Sequence, residues 1–110
     1  MQTVCKLNRI LPETGVCALV EGKQVAIFRV NEGGSDKLYA VSNHDPISGA
    51  DVLSRGIVGG TGDVIYVASP IYKERFNLAT GECLDKPEVR IETFAVSVEG
   101  DEVLVGSHKS

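Results

Sequence analysis

The chain has 110 residues, 43% of them hydrophobic and 24% charged, with no tryptophan and a formal net charge of −4. One domain is expected at this length, burying roughly 60–70% of the surface its unfolded chain exposes. The mild acidic excess and the lack of any lysine or arginine run argue against nucleic acid or an anionic membrane as the main partner, and no apolar stretch is long enough to span a bilayer.

The opening residues Met1–Arg9 have no basic head followed by an apolar run, so no signal peptide is expected and the chain reads as cytoplasmic. Three cysteines, Cys5, Cys17 and Cys83, without Cys-x-x-Cys spacing, fit reduced thiols. Cys17 lies in an apolar alternating run and is expected as a small core residue, while Cys5 and Cys83 are expected at the periphery. Val4–Leu7 reads as a first strand, and Asn8–Thr14 as a connector broken by Pro12 and Gly15. Val16–Val20 and Gln24–Val30 are strands joined by a Glu21-Gly-Lys turn, a hairpin signal. Asn31–Asp36 is a polar, glycine-rich loop, followed by a short strand at Leu38–Val41.

From Ser42 to Gly62 the pattern loosens, punctuated by Asn43, Asp45-Pro46, Ser48-Gly49, Gly56 and Gly59-Gly60. A loop this long is expected to be functional or descended from something functional, with Val52-Leu53 as its apolar anchor in a short helical turn. Val64–Ala68 is nearly continuous apolar sequence and predicts a strand buried on both faces. A Pro70 turn, a strand at Glu74–Leu78 and a Thr80-Gly81 turn follow. After Lys86-Pro87 come one strand at Arg90–Val98, a Glu99-Gly-Asp101 turn and a strand at Glu102–Gly106, with Ser107–Ser110 a frayed polar tail. Apolar residues nowhere keep helical spacing beyond a turn or two. Short strands with glycine turns every ten or so residues predict an all-β sandwich or barrel.

The stretch Val67-Ala-Ser-Pro-Ile-Tyr-Lys-Glu-Arg-Phe-Asn-Leu-Ala-Thr-Gly-Glu82 resembles the second cluster-binding loop of Rieske-type iron–sulfur domains. There, Cys-Pro-x-His leads into an Arg-Phe-Asp-Leu-like strand and a Thr-Gly turn. Leu38–Gly56, with its Leu-Ser-Arg-Gly end, resembles the first. The resemblance implies a Rieske-type antiparallel β sandwich or barrel over residues 1–110, with a tip formed by loops 42–56 and 69–75. Asp45 and Ile47 stand where the first loop carries Cys-x-His, and Ser69 and Tyr72 where the second carries Cys-x-x-His. A Rieske cluster takes two cysteine thiolates on one iron and two histidines on the other. Isoleucine ligates nothing, and serine or tyrosine is a poor soft ligand. No metal or cofactor is therefore expected in this chain.

His44 is one of only two histidines, the other being His108 near the end. It reads as a loop residue, because a mononuclear site with Asp45 and Asp51 needs a convergence that the spacing does not promise. Cysteine–histidine or serine–histidine catalysis, paired glycosidase carboxylates and a phosphate-binding glycine loop are equally unsupported, so no catalytic residue is expected. The residues standing in the loops still carry information. Pro46, Ile47, Pro70, Ile71 and Tyr72 bring apolar and aromatic groups to the tip, beside Lys73, Glu74 and Arg75, which is the anatomy of a docking patch. Packing of the two loops into the space of a vacated cluster is the other reading, with the Tyr72 ring buried and its hydroxyl wet. The two are compatible.

Taken together, Ile10–Val20, Gln24–Arg29, Asn43–Gly56 and Val67–Leu78 with Gly81 are similar to the small-subunit family of bacterial NAD(P)H-dependent assimilatory nitrite reductases, where both ligand motifs are lost in this manner. That resemblance implies a non-catalytic cytoplasmic subunit of an enzyme that reduces nitrite to ammonium with nicotinamide electrons. FAD, sirohaem and an iron–sulfur cluster would sit on a separate large subunit, which this chain binds and stabilises, orients or regulates. The implied contact face is Pro46, Ile47, Pro70, Ile71, Tyr72 and Lys73. A ferredoxin-type electron carrier for an oxygenase is the alternative and requires a cluster. A free-standing ligand-binding module requires a concave apolar pocket with convergent polar groups.

Overall fold

The computed structural model describes residues 1–108. Among them nine strands form two antiparallel sheets: β1 Gln2–Lys6, β2 Thr14–Val20, β3 Lys23–Glu32, β4 Ser35–Ser42, β5 Ile57–Thr61, β6 Val64–Ala68, β7 Arg75–Asn77, β8 Thr93–Glu99 and β9 Glu102–His108. Six strands run in the order β1-β9-β8-β4-β3-β2, and three in the order β5-β6-β7. Gln2 at one end of the larger sheet donates to the Leu19 carbonyl at the other (3.3 Å), so this sheet curls almost into a barrel. The expected all-β fold is the one found.

The central strand of the architecture is β3. Val25 and Ile27 point into the barrel with Ile10, Val20, Ala40, Phe94, Val103 and Val105. Ala26, Phe28 and Val30 point the other way, into a second core closed by Leu53, by Val67 and Phe76 of the small sheet and by Leu78 just after it. A strand buried on both faces reads as a continuous apolar run, and Val25-Ala-Ile-Phe28 is that run. The same burial was expected of β6, where Val67 alone is fully buried. Its other face lies on the outside of a two-layer structure.

Other expectations are corrected by turn and strand geometry. The 31–36 loop contracts to Gly33-Gly34, both at positive φ, because two such residues make the tight hairpin turn that matches strand twist. The long loop ends early: a 3-10 turn at Leu53–Arg55 leads directly into β5. Glycines hid that strand, and the Tyr66 ring lies over Gly59 so closely that a Cβ there would stand 2.7 Å from its outer end and displace it. The last long strand begins at Thr93 instead of Arg90. β9 continues through His108, whose backbone pairs with Phe94, so the polar tail is shorter than expected; residues 109 and 110 lie outside the described residues. Cys17 is exposed, because Val16, Ala18 and Val20 take the inward positions of β2, and its thiol donates weakly to Gln24 Oε1 at 3.7 Å. Cys83 is buried, because it bridges Phe76 on the outer side of β7 and drops its sulfur into the second core. Among the described residues no helix is long and apolar enough to cross a membrane.

Candidate functional site

Loop 43–52 leaves the end of β4 under the control of Asn43. This buried side chain donates to Gln24 Oε1 and the Asp51 carbonyl, both at 3.1 Å, and accepts from Ser54 N–H at 2.7 Å. One amide thus closes the loop's two stems onto β3. Beside it His44 Nδ1 meets Asp51 Oδ1 at 2.8 Å across an isolated β-bridge. The loop therefore arrives at Asp45 with its entry and exit fixed.

Asp45 is fully buried, and its carboxylate accepts four hydrogen bonds. Oδ1 takes the backbone N–H groups of Ile47 (2.9 Å) and Ser48 (3.3 Å), an Asx turn. Oδ2 takes the hydroxyls of Ser48 (2.9 Å) and Ser69 (2.6 Å). Ser69 is itself 1% exposed and anchors the second loop: its N–H donates to the Glu74 carbonyl, its carbonyl accepts from Lys73 N–H, and its Oγ accepts from Ile71 N–H. Lys73 completes that turn in the left-handed region, at φ +65°. The two positions expected to replace cysteines thus bond directly to each other and clasp the two loops. Burial pushes the pKa of Asp45 up, but the hydrogen bond from Ser69 and those from Ile47 and Ser48 pull it down further, leaving it below the usual carboxylate value.

The two positions expected to replace histidines, Ile47 and Tyr72, behave differently. Ile47 is half-buried and packs against the second core. Tyr72 is 62% exposed, Ile71 is 44% exposed, and Pro46, Pro70 and Lys73 are exposed around them. The expectation of a buried Tyr72 ring is therefore corrected: its loop is already closed by backbone hydrogen bonds, and Ile47 does the filling from below. Arg75 is drawn away from the tip, bonded to Asp85 at 2.8 Å and lying over the Tyr66 ring at 5.5 Å. Glu74 keeps one buried carboxylate oxygen without a hydrogen-bond partner among the described residues.

A [2Fe–2S] cluster does not fit this donor set. Ile47 offers no donor atom, Tyr72 points outward, and the oxygens of Asp45 and Ser69 stand 2.6 Å apart with their bonding capacity used on each other and on the backbone. Among the described residues no three histidine, cysteine, aspartate or glutamate side chains gather as a metal site. Away from the tip, where β4 and β8 part after only two paired positions, an open groove of about 350 Å³ is lined by Leu38, Ala40, Leu78, Phe94 and Val96, with Tyr39 and Thr93 as its polar side chains. Sequence reasoning singled out Asp45, Ile47, Ser69 and Tyr72 but missed Asn43 and Ser48 as the residues that organise Asp45. The Asp-Pro-x-Ser pattern was the available signal, since such a sequence favours an Asx turn.

The family model for the Rieske-like [2Fe-2S] domain matches residues 1–106. The nitrite reductase (NADH) small subunit of Salmonella typhimurium is 44% identical over 98 residues, 89% of either chain. A nitrite reductase [NAD(P)H] large subunit of Klebsiella oxytoca is 37% identical over 108 residues, which span 98% of this chain and 11% of that one. Among solved structures, Escherichia coli NirD shares 40% identity with a TM-score of 0.85, over 94% of this chain and 93% of that one. The ferredoxin of carbazole 1,9a-dioxygenase from Nocardioides aromaticivorans shares 27% identity with a TM-score of 0.77, over 96% and 98%. By these measures the chain belongs to the Rieske-like [2Fe-2S] domain family, among the nitrite reductase (NADH) small subunits.

Proposed function

We propose that this chain is the non-catalytic, cluster-free small subunit of an NADH-dependent nitrite reductase, and that it works by binding the large subunit through its tip. The observation that carries the reading is the 44% identity, across 89% of both chains, to a nitrite reductase (NADH) small subunit. The choice of partner is supported by the Klebsiella relative, in which a 37% identical domain belongs to one polypeptide named as a large subunit. Fusion holds two modules at high effective concentration, and a separate subunit reaches the same arrangement through an interface. In this reading nitrite is reduced to ammonium in the cytoplasm for nitrate assimilation, by FAD, sirohaem and an iron–sulfur cluster on the large subunit. The small chain stabilises or regulates that subunit and passes no electrons.

The tip is suited to that work. The Asp45–Ser69 clasp and the underlying Ile47 hold both loops before any partner arrives, so Pro46, Pro70, Ile71, Tyr72 and Lys73 meet it already ordered. Pre-ordering lowers the entropic cost of association. A ferredoxin-type carrier would share the fold, but it needs a metal centre that this donor set does not fit. The test is to titrate purified small chain into the large flavin–sirohaem subunit while following complex size, nitrite-dependent NADH oxidation and iron in the small chain. A complex with an iron-free small chain is expected. Absence of any complex overturns the reading, and stoichiometric iron in the small chain turns it toward electron transfer.

A further inference from the structure

The small sheet is sealed along one edge and bare along the other. At β7 the chain covers its own backbone: Phe76 bridges Cys83, Asn77 N–H donates to the Glu82 carbonyl, and Arg75 N–H donates to Asp85 Oδ2. At β5 nothing does so. The Ile65 carbonyl accepts from Leu78 N–H (3.0 Å), which turns the backbone groups of Ile65 and Val67 toward β7. Antiparallel alternation then turns Val64, Tyr66 and Ala68 toward β5, opposite Thr61, Gly59 and Ile57. Val58 and Gly60 are left with N–H and C=O pointing away from the sheet, and no group among the described residues bonds them.

Natural sheet edges are shielded by lysine, proline, a bulge or a covering segment. Ile57-Val-Gly-Gly-Thr61 has no charge and no proline, its register with β6 runs without a shift, and Ile57 is 74% exposed. This bare edge is continuous with the tip, because Ile57 pairs with Ala68, and Ala68 leads straight into Ser69 and the Ile71-Tyr72 turn. An open edge recognises another extended backbone, with side-chain pockets adding selectivity.

We infer that β5 is a docking edge for an extended segment of the nitrite reductase large subunit, which pairs with Val58 and Gly60 as a fourth strand of the small sheet. The inference rests on the partner proposed above. A second copy of this chain is the weaker occupant: a five-residue edge paired with itself falls far short of the roughly 800 Å² per partner of a stable interface. It would also leave the exposed tip uncovered, whereas one large partner covers both. The segment that fits is about five residues long and uncharged, with an apolar side chain beside Ile57.

The test is amide hydrogen exchange of the full small chain, alone and bound to the large subunit, together with two variants. On binding, the Val58 and Gly60 amides slow by at least ~10-fold. Gly60→Pro removes one outward N–H that the isolated chain does not use, and weakens binding ~10-fold with an unchanged melting temperature. Gly60→Ala, where a Cβ makes only ordinary contact with Ile65 and Val64, binds as the parent does. If the complex forms while both amides stay fast, this inference is overturned and the tip reading stands. If no complex forms, both fall. Protection already present in the isolated chain, rising with its own concentration, also overturns the inference and assigns the edge to a second copy. Should Gly60→Pro fail to fold, the exchange measurement decides alone.

Discussion

The four tip positions have divided into two pairs with opposite fates. Asp45 and Ser69, the positions expected from the resemblance to replace cysteines, are 0% and 1% exposed and bond each other at 2.6 Å. Ile47 and Tyr72, the positions expected to replace histidines, carry no such link among the described residues: one pads the core from the margin, and the other stands in solvent. A cluster held between two loops both joins them and performs redox chemistry. In this chain the inner pair joins the two loops by a charge-assisted hydrogen bond between buried side chains. The outer pair takes no part in that joining. Two loops of this fold can thus be held together by side-chain hydrogen bonding alone.

Breaking the inner pair has the largest expected effect. Asp45→Ala leaves the Ser69 and Ser48 hydroxyls and two backbone N–H groups without their acceptor, and is expected to cost about 3 kcal/mol in urea unfolding. Ser69→Ala removes one of four hydrogen bonds and costs about 2 kcal/mol. The double variant should fall short of the sum by at least ~1 kcal/mol, the mark of direct coupling. Strict additivity would mean that the clasp does not join the loops. At the outer pair the expectation reverses. Tyr72→Ala leaves the stability of the isolated chain within ~0.5 kcal/mol of the parent, yet weakens binding to the large subunit ~30-fold, as loss of an exposed aromatic anchor does. A Tyr72→Ala chain that melts early but binds normally would return Tyr72 to packing. Ile47→Ala lies between them: about 1 kcal/mol of stability from a half-buried side chain, with a smaller loss of binding.

Much of this division was legible beforehand, and the failures have physical causes. Periodicity located the hairpin of β2 and β3 because its apolar residues alternate against a short glycine turn. It misjudged burial at Cys17 and β6 because alternation tells that a strand has two faces, and only the packing of a second layer tells which face is covered. Strand β5 was lost in Gly59-Gly60, where close packing by Tyr66 asks for the residue that propensity reads as loop. At the tip, resemblance supplied the four positions, but their split into inner and outer pairs depends on a contact across 24 residues of sequence, Asp45 to Ser69. Local pattern carries no signal for that.

The smallest expected effect is a change of slope in acid, and it bears on what kind of bond the clasp is. Asp45 in the folded chain titrates below its ordinary value, whereas in the unfolded chain it titrates near ~3.9. As pH falls, the unfolded chain takes up the proton first, so the ionised clasp stabilises the fold fully above about pH 4 and loses that contribution as pH drops through the lowered value. Asp85, whose pKa is held down by its hydrogen bonds from Arg75, contributes in the same window from a partly exposed position on the segment that covers β7. Asp85→Asn serves as the reference for a surface pair that salt screens. Urea midpoints measured from pH 6 down to pH 2.5 are expected to fall less steeply in Asp45→Asn than in the parent, with Ser69→Ala in between because it lacks the strongest contact lowering the pKa. High salt should flatten the part owed to Asp85 and leave the part owed to the buried Asp45. Superimposable acid limbs for Asp45→Asn and the parent would mean that the carboxyl joins the loops as a neutral donor and acceptor, and that the inner pair owes its strength to geometry alone.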